Sequence, residues 1–326
     1  MSTTAPGSKE TEGHEETEAH RAWPLVSVIL ATRGRPELIR ESLRAVVAQT
    51  YPGVIECIVV HDQEDEDPTL TTLGTQQHSV TVLSNTHAAG LAGARNTAVE
   101  RAAGAFIATC DDDDVWHPTK LEKQIDMLLT HPDLLVVGSG IRLLFPAGKI
   151  TVWPARADHI TRAMLLQNRV KEMHSSTLVV RRDAFAKVGQ YDELLPFGYA
   201  EDYDWILRAS RVGRLGAVRE PLADIRKDVP SWYRGRADMT ATALPYFLEK
   251  HPEIASSRRG HARILGQIAF AKSVRGERGT ATRLAGRALR RWPLSPHAYL
   301  ALAHVATGVD PGRVQTFARR FGRGLA

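Results

Sequence analysis

The chain has 326 residues, 43% of them hydrophobic and 24% charged, which suits an ordinary globular protein of about two domains and excludes a disordered tail, a collagen or a small disulfide scaffold. Its net charge of +5 is unevenly spread: residues 255–326 carry 14 Lys or Arg against Glu277 and Asp310, a local +12, so the remainder sums to −7. No apolar run approaches the roughly 18–20 residues that cross a bilayer, the N-terminus has no signal-peptide core, and Cys57 and Cys110 lie in apolar runs as small buried hydrophobes. This cysteine usage favours a reducing compartment, and the expected location is cytoplasmic.

Residues 1–22 hold five Glu and little that is apolar, and are expected to form a disordered lead-in. Order is expected from Pro24. The run 25–31 (LVSVILA) reads as a strand ending in the turn-prone Thr32-Arg33-Gly34-Arg35-Pro36, and residues 37–49 carry apolar positions at helical spacing. Further strands are predicted at 54–60, 80–83 and 105–109, with a helix over 91–103 between the last two. Alternating strands and helices with near-continuous apolar strands imply an α/β fold, a mostly parallel sheet with helices on both faces. A second block, 134–232, contains strand-like runs at 134–137 and 177–180 and a further segment over 199–211. Past 233 the chain turns to Ala- and Arg-rich helices. The expected division is therefore 1–22, 23–232 and a basic helical region, 233–326.

In such sheets ligands sit outside the carboxyl ends of the strands, and the residues there are unusually polar. His61-Asp62 and then Glu64-Asp65-Glu66-Asp67 follow the second strand; Asp111-Asp112-Asp113-Asp114 follow the fourth. Four adjacent carboxylates repel one another, and hard cations such as Mg²⁺ or Mn²⁺ prefer such oxygen ligands. A solvated acidic turn is the alternative, weakened by the strand before the run and by Val115-Trp116-His117-Pro118 after it. A Mg²⁺ held by one or two carboxylates usually completes its shell with phosphates, so a nucleoside diphosphate ligand is expected. The Gly90/Gly93 loop lacks both the dinucleotide-binding spacing and a Lys-Ser/Thr ending, and no zinc-ligand spacing is present. His174 enters a strand-like run either as a structural residue or as a substrate contact; His117, between Trp116 and Pro118, reads as scaffold.

Several segments together carry a family resemblance. Val26-Ser27-Val28-Ile29 with Thr32–Pro36, Gln49-Thr50-Tyr51-Pro52, Glu56 with Ile58–Asp62, Gly90–Asn96, Gly104, 111–121 (DDDDVWHPTKL), Arg181–Phe185 with Val188-Gly189 and Tyr191-Asp192-Glu193, and Glu201–Trp205 stand in the order seen in family 2 glycosyltransferases. The resemblance covers about 24–230 and implies the GT-A nucleotide-sugar-binding fold. It implies that Ala31, Thr32 and Arg33 belong to the loop cradling base and ribose, and that Asp62 holds the base. Asp113 and Asp111 would form the metal-binding pair with Mn²⁺ or Mg²⁺, Asp112 would contact the sugar or ribose, and Arg95 would line the donor pocket. Asp202 matches the catalytic base, with Glu201 orienting it or meeting the acceptor. An acceptor hydroxyl needs such a carboxylate to remove its proton; one base opposite the leaving group implies inversion. Without the resemblance, Glu201-Asp202 equally reads as an acidic helix N-terminus.

Departures from the family pattern are His61 in place of an acidic residue, Gln63-Glu64 in place of Gly-Ser, and Ile225-Arg226-Lys227-Asp228 in place of Tyr-Arg-x-His, with Arg226 still expected at the diphosphate. The mark of processive synthases, Gln-x-x-Arg-Trp, is absent, so a single addition from a UDP-linked donor to a hydroxyl acceptor is expected. A sugar nucleotidyltransferase and a non-catalytic nucleotide-sugar or polyanion-binding protein are the rival readings. In the tail, Ala281, Leu284, Ala285, Ala288, Leu289 and Trp292 share one helix face opposite Arg283, Arg287, Arg290 and Arg291, and a last helix is predicted from Asp310-Pro311. An apolar face with an arginine face fits either peripheral contact with an anionic membrane, at its inner face, or a helical cap on the catalytic domain. Nucleic acid is not expected as a partner, since no recognised module or stacking platform is present.

Overall fold

β-branched residues dominate Val26–Thr32 (β1), where all but Ala31 are buried, as suits a strand covered on both faces. The computed structural model describes residues 22–229 and 237–308; the expectations for 1–21 and for a helix from 310 lie outside the described residues. Pro36 opens α1 (Pro36–Val47), which turns Ile39, Leu43 and Val46 inward. β2 (Ile55–His61), β3 (His78–Ser84), α2 (Leu91–Arg101) and β4 (Phe106–Asp111) follow, close to the predicted elements. These strands pair in parallel in the order β3-β2-β1-β4. The chain therefore leaves β1 in one direction and returns on its other side, and the carboxyl ends of β1 and β4 flank a switch point, the place where open α/β sheets bind ligands.

Beyond β4 come β5 (Val115–Trp116), α3 (Lys120–Thr130), β6 (Leu134–Leu144), β7 (Ile150–Trp153), β8 (His159–Ile160), α4 (Arg162–Gln167), β9 (Val179–Arg181), α5 (Asp183–Val188), α6 (Glu201–Val212) and β10 (Arg214–Arg226). Here the sheet is mixed: β9 lies antiparallel between β4 and β6, while β10 runs parallel to β6. The run at 134–137 extends to Leu144. The segment grouped with it at 199–211 is mostly helix α6, followed by the long strand β10. Tyr203, Trp205, Ile206, Leu207 and Ala209 of α6 are all buried in the core.

The change of character expected at 233 falls between β10 and α7 (Ala237–Lys250), in residues outside the described set. α8 (Arg258–Val274), α9 (Arg278–Arg291) and α10 (Pro296–Thr307) complete the described chain. Leu244, Phe247, Ile254, Ile264 and Ile268 of this region belong to the same core as Leu165, Trp205 and Ile206. Tyr203 of α6 stacks on Phe247 with ring centres 5.1 Å apart. Farther out, Ala285, Ala288, Ala298 and Ala301 pack on Ala262, Leu265 and Ala269 of α8, so the apolar stripe of α9 faces its neighbours. Cys57 and Cys110 are free and buried. Among the described residues no helix is long and apolar enough to cross a membrane.

Candidate active site

β1, β2 and β4 end side by side, with Thr32 in register with His61 and Ala31 with Asp111. Asp62, the residue after β2, is buried. Its carboxylate accepts hydrogen bonds from Asn85 Nδ2 (2.9 Å), Gly90 N (2.9 Å) and Gln63 Nε2 (3.0 Å), and Arg33 Nη1 stands 4.0 Å away. Gly90 has φ +124°, a conformation few side chains tolerate, and this aims its N–H at Asp62. A Cβ on Gly93 would lie 1.9 Å from the carbonyl oxygen of Ala88, so only glycine lets the loop close against α2. The departures at 61 and 64 have a structural role. His61 Nε2 accepts from Asp67 N (3.3 Å), so Nδ1 carries the proton and donates to Glu64 (2.9 Å), whose other oxygen takes the N–H of Gly34. The loops after β1 and β2 are thereby tied together.

The aspartate run makes a tight turn, Asp114 N donating to Asp111 O at 3.2 Å, which sends its carboxylates to two sides. Asp112 accepts from Thr32 Oγ1 and Arg35 Nη1, both at 2.9 Å, and Arg35 also reaches Asp113 at 3.0 Å. Asp111 and Asp114 turn the other way, to Ser175 Oγ (2.6 Å) and Ser176 Oγ (2.5 Å). Ligand atoms of Asp111, Asp114 and His174 all lie within 4.8 Å of one another. Of the expected metal pair, Asp111 belongs to this cluster and Asp113, which also pairs with Arg35, has the charge of Asp111 beside it; Asp114 and His174 are further candidate ligands at the same end of the site. Burial pushes the Asp112 carboxyl up to about 6 against the pull of Arg35; burial and the charge of Asp111 beside it also raise Asp113. Asp114 is raised well above the usual range by burial and by the charges of Asp113 and Asp111. His174 is pushed down to about 4 by burial and accepts from Ser176 N at its Nδ1. Crowded oxygens beside a neutral imidazole are a donor set that suits a divalent cation, whose charge relieves their repulsion.

α6 begins at Ala200, held in the left-handed region at φ 69°, and its first turn carries Glu201 and Asp202. Arg95, only 4% exposed, donates from Nη1 to Glu201 and from Nη2 to Asp111, each at 2.5 Å. It was expected to line the donor pocket; in the structure both ends of its guanidinium join α6 to β4. Burial pushes Glu201 up to about 7, with Arg95 opposing. Asp202 receives Arg169 Nη2 on both oxygens at 2.8 Å and its neighbour Tyr203 N at 2.7 Å. Arg169 belongs to no motif, and nothing in its surrounding sequence marks it.

Arg226 was expected at the diphosphate. Its guanidinium goes to Glu41 on α1 (2.5 Å) and to Asp228 (3.4 Å), while its backbone N–H, not its side chain, reaches Asp114 (3.1 Å). Lys227, the residue just past the end of β10, exerts its charge on both Asp113 and His174. His117 is scaffold, bound to Asp224 at 3.0 Å.

The model for glycosyl transferase family 2 matches residues 27–189, half of the chain. The chain belongs to that family. This glycosyltransferase is 28% identical over 252 residues to an uncharacterized glycosyltransferase of Haemophilus influenzae, covering 70% of this chain and 75% of that one. It is 39% identical over 105 residues to the Escherichia coli UDP-Glc:alpha-D-GlcNAc-diphosphoundecaprenol beta-1,3-glucosyltransferase WfgD, a stretch that spans 32% of this chain and 41% of WfgD. Among solved structures it is similar to S. aureus TarS 1–349 in complex with UDP-GlcNAc, with a TM-score of 0.58 at 19% identity over 91% of this chain and 92% of that one. It is also similar to the mannosyltransferase PcManGT of Pyrobaculum calidifontis in complex with GDP-Man and Mn²⁺, with a TM-score of 0.54 at 18% identity over 92% and 85%. The fold is that of the GT-A glycosyltransferases, with helices added at the C-terminal end. Family membership favours glycosyl transfer over the nucleotidyltransferase and binding-protein readings.

Proposed function

We propose that this glycosyltransferase moves one sugar, with inversion, from a UDP-linked donor to an acceptor hydroxyl, using Asp202 as general base and Mn²⁺ or Mg²⁺ at the Asp111 end of the site. The observation that carries this reading is the Asp111–Arg95–Glu201 bridge, which fixes the first turn of α6 against the acidic end of β4. Asp62 and Arg33 stand where the base of the nucleotide would lie. Asp111, with Asp114 and His174, would hold the cation, which supplies charge neutralisation for the departing diphosphate. Lys227 adds a positive charge on the same side. Asp202, freed from Arg169, accepts the acceptor hydroxyl proton during attack, and Glu201 stays bound to Arg95 and keeps the helix end in place. The choice of UDP is supported by the WfgD name and the TarS complex; the GDP-Man complex of PcManGT is its counterweight.

The expected setting is cytoplasmic, with the basic residues of 255–326 offering contact to an anionic membrane surface. Replacing Asp202→Asn tests the base: transfer should fall by about 10²–10⁴-fold while the melting-temperature rise caused by nucleotide with Mn²⁺ is retained. An Asn variant that turns over normally removes Asp202 from the role. A shift with GDP and not with UDP changes the donor.

A further inference from the structure

Two arginines stand against Tyr203, the residue next to the candidate base. Arg169, in the loop after α4, and Arg263, on α8, place their guanidinium carbons 5.8 and 5.9 Å from the centre of the same Tyr203 ring. Arg169 has Asp202 as its counter-ion. For Arg263 no carboxylate lies within ion-pair distance among the described residues. Its contacts are the Tyr203 hydroxyl and Gln267 Oε1, both at a marginal 3.4 Å, and its Nε, shut off from solvent, has no partner. The neighbouring His297 also has a shielded, unpartnered Nδ1, and burial followed by the charge of Arg263 brings it down to about 4. Burial and the nearby Arg169 both work against the charge of Arg263. A guanidinium with a shielded, unpartnered Nε, no carboxylate partner and a second arginine nearby is a costly arrangement. Elsewhere in the molecule the same cost is met: Arg95 has Asp111 and Glu201, and Arg208 has the fully buried Asp204.

We propose that Arg169 and Arg263 form an anion subsite for the acceptor, so that the acceptor carries a phosphate group near the hydroxyl that receives the sugar. This rests on the reading of the chain as a glycosyltransferase with Asp202 as its base. Phosphate oxygens accept forked donation from guanidinium groups, which a neutral sugar hydroxyl does poorly. The position of Arg169 adds a second consequence. While it donates to both oxygens of Asp202, that carboxylate is a weakened proton acceptor; a phosphate gives Arg169 a stronger partner and releases the base. Arg169 is a loop residue with its side chain 42% exposed, so it has room to turn. Arrival of the acceptor and activation of the base are then one event, and water is a poor substitute nucleophile until the acceptor is bound.

The test uses the intact protein saturated with Mg²⁺ and UDP, or GDP if that is the nucleotide bound, so that the donor phosphate pocket is filled. It is titrated calorimetrically with inorganic phosphate, glucose 1-phosphate and octyl phosphate, and with glucose and octyl glucoside as neutral counterparts. The phosphate compounds should bind and the neutral ones should not. Arg263→Gln and, separately, Arg169→Gln should each weaken phosphate binding about tenfold or more with nucleotide affinity unchanged. Arg263→Lys should recover part of the loss, and Arg169→Gln should speed hydrolysis of the nucleotide-sugar in the absence of acceptor. Tighter binding of glucose 1-phosphate marks a soluble sugar phosphate as the source, and tighter binding of octyl phosphate a lipid-borne one. Equal phosphate binding by wild type and both Gln variants, or none while nucleotide binds, overturns the subsite and leaves the glycosyltransferase reading intact. Absence of nucleotide binding overturns that reading, and the subsite with it. Arg169 lies on an exposed loop, so its variant reports even if the Arg263 variants do not fold.

Discussion

The β3-β2-β1-β4 half of the molecule and the half built on α6, α7 and α8 place their polar groups by different means. In the first, the groups follow strand ends: Thr32, Asp62 and Asp111 stand at the carboxyl edge of a parallel sheet because their strands are in register. In the second, Asp202, Arg169 and Arg263 come from a helix start, a loop and a separate helix, 33 and 60 residues apart along the two contacts that join them through Asp202 and Tyr203. A strand end delivers whatever residue follows it to a known place. Helix packing delivers a residue according to which faces happen to meet, and short-range spacing does not encode that. Arg95 joins the two halves, and its loss is the sharpest way to break the comparison.

Arg95→Ala leaves Asp111 and Glu201 buried without their shared partner, and breaking buried pairs in this way costs about 3–5 kcal/mol. Urea unfolding measures it; a loss below about 1 kcal/mol would mean that the halves are not held together here. Gly93→Ala acts inside the first half. Its Cβ meets a backbone carbonyl at 1.9 Å, and overpacking of this kind costs about 1–3 kcal/mol, with weakened nucleotide binding because Gly90 and Asp62 share the loop. The third prediction concerns the second half alone. Asp204 is fully buried, and although burial disfavours its charge, His251, Arg208 and Lys250 hold it down at about 2. Its folded value lies below the ordinary 3.8, so its contribution, about 2 kcal/mol, is present above about pH 4 and is lost as pH falls toward 2. Asp204→Asn should flatten the stability–pH curve across that window, and an unchanged curve would place the acid sensitivity elsewhere.

Most of the first half was legible. Apolar runs gave four strands within a residue or two of their ends, and the polar residues after them gave Asp62 and the aspartate run. What the run could not reveal was its turn, which brings Asp114 and His174 close to Asp111. Nor could the sequence say that Arg226 would pair with Glu41 and Asp228 while Lys227, just past the strand end, acts on Asp113 and His174. In the second half the Glu201-Asp202 pair was visible through resemblance alone, and α6 looked ambiguous. Arg169 and Arg263 were invisible. Each is an isolated arginine in ordinary helical or loop sequence, and only the packing of α4, α6 and α8 brings them to one tyrosine ring. The break in composition at 233 marked a change of residue types, while the core runs straight across it through Leu244 and Phe247.

That continuity bears on how the chain is made. Asp204 must wait for Lys250 and His251, 47 residues later for the histidine, and the Tyr203 ring waits for Phe247. At about 5–20 residues per second on the ribosome, the interval is roughly 2–9 s. During it Asp204 has only Arg208 of its own helix as a partner, and α6 has an uncovered aromatic face. The strands β1 to β4 have all been synthesised by then and can pair early, but α6, which carries the proposed base, settles only after α7 arrives, so synthesis finishes that side of the site last.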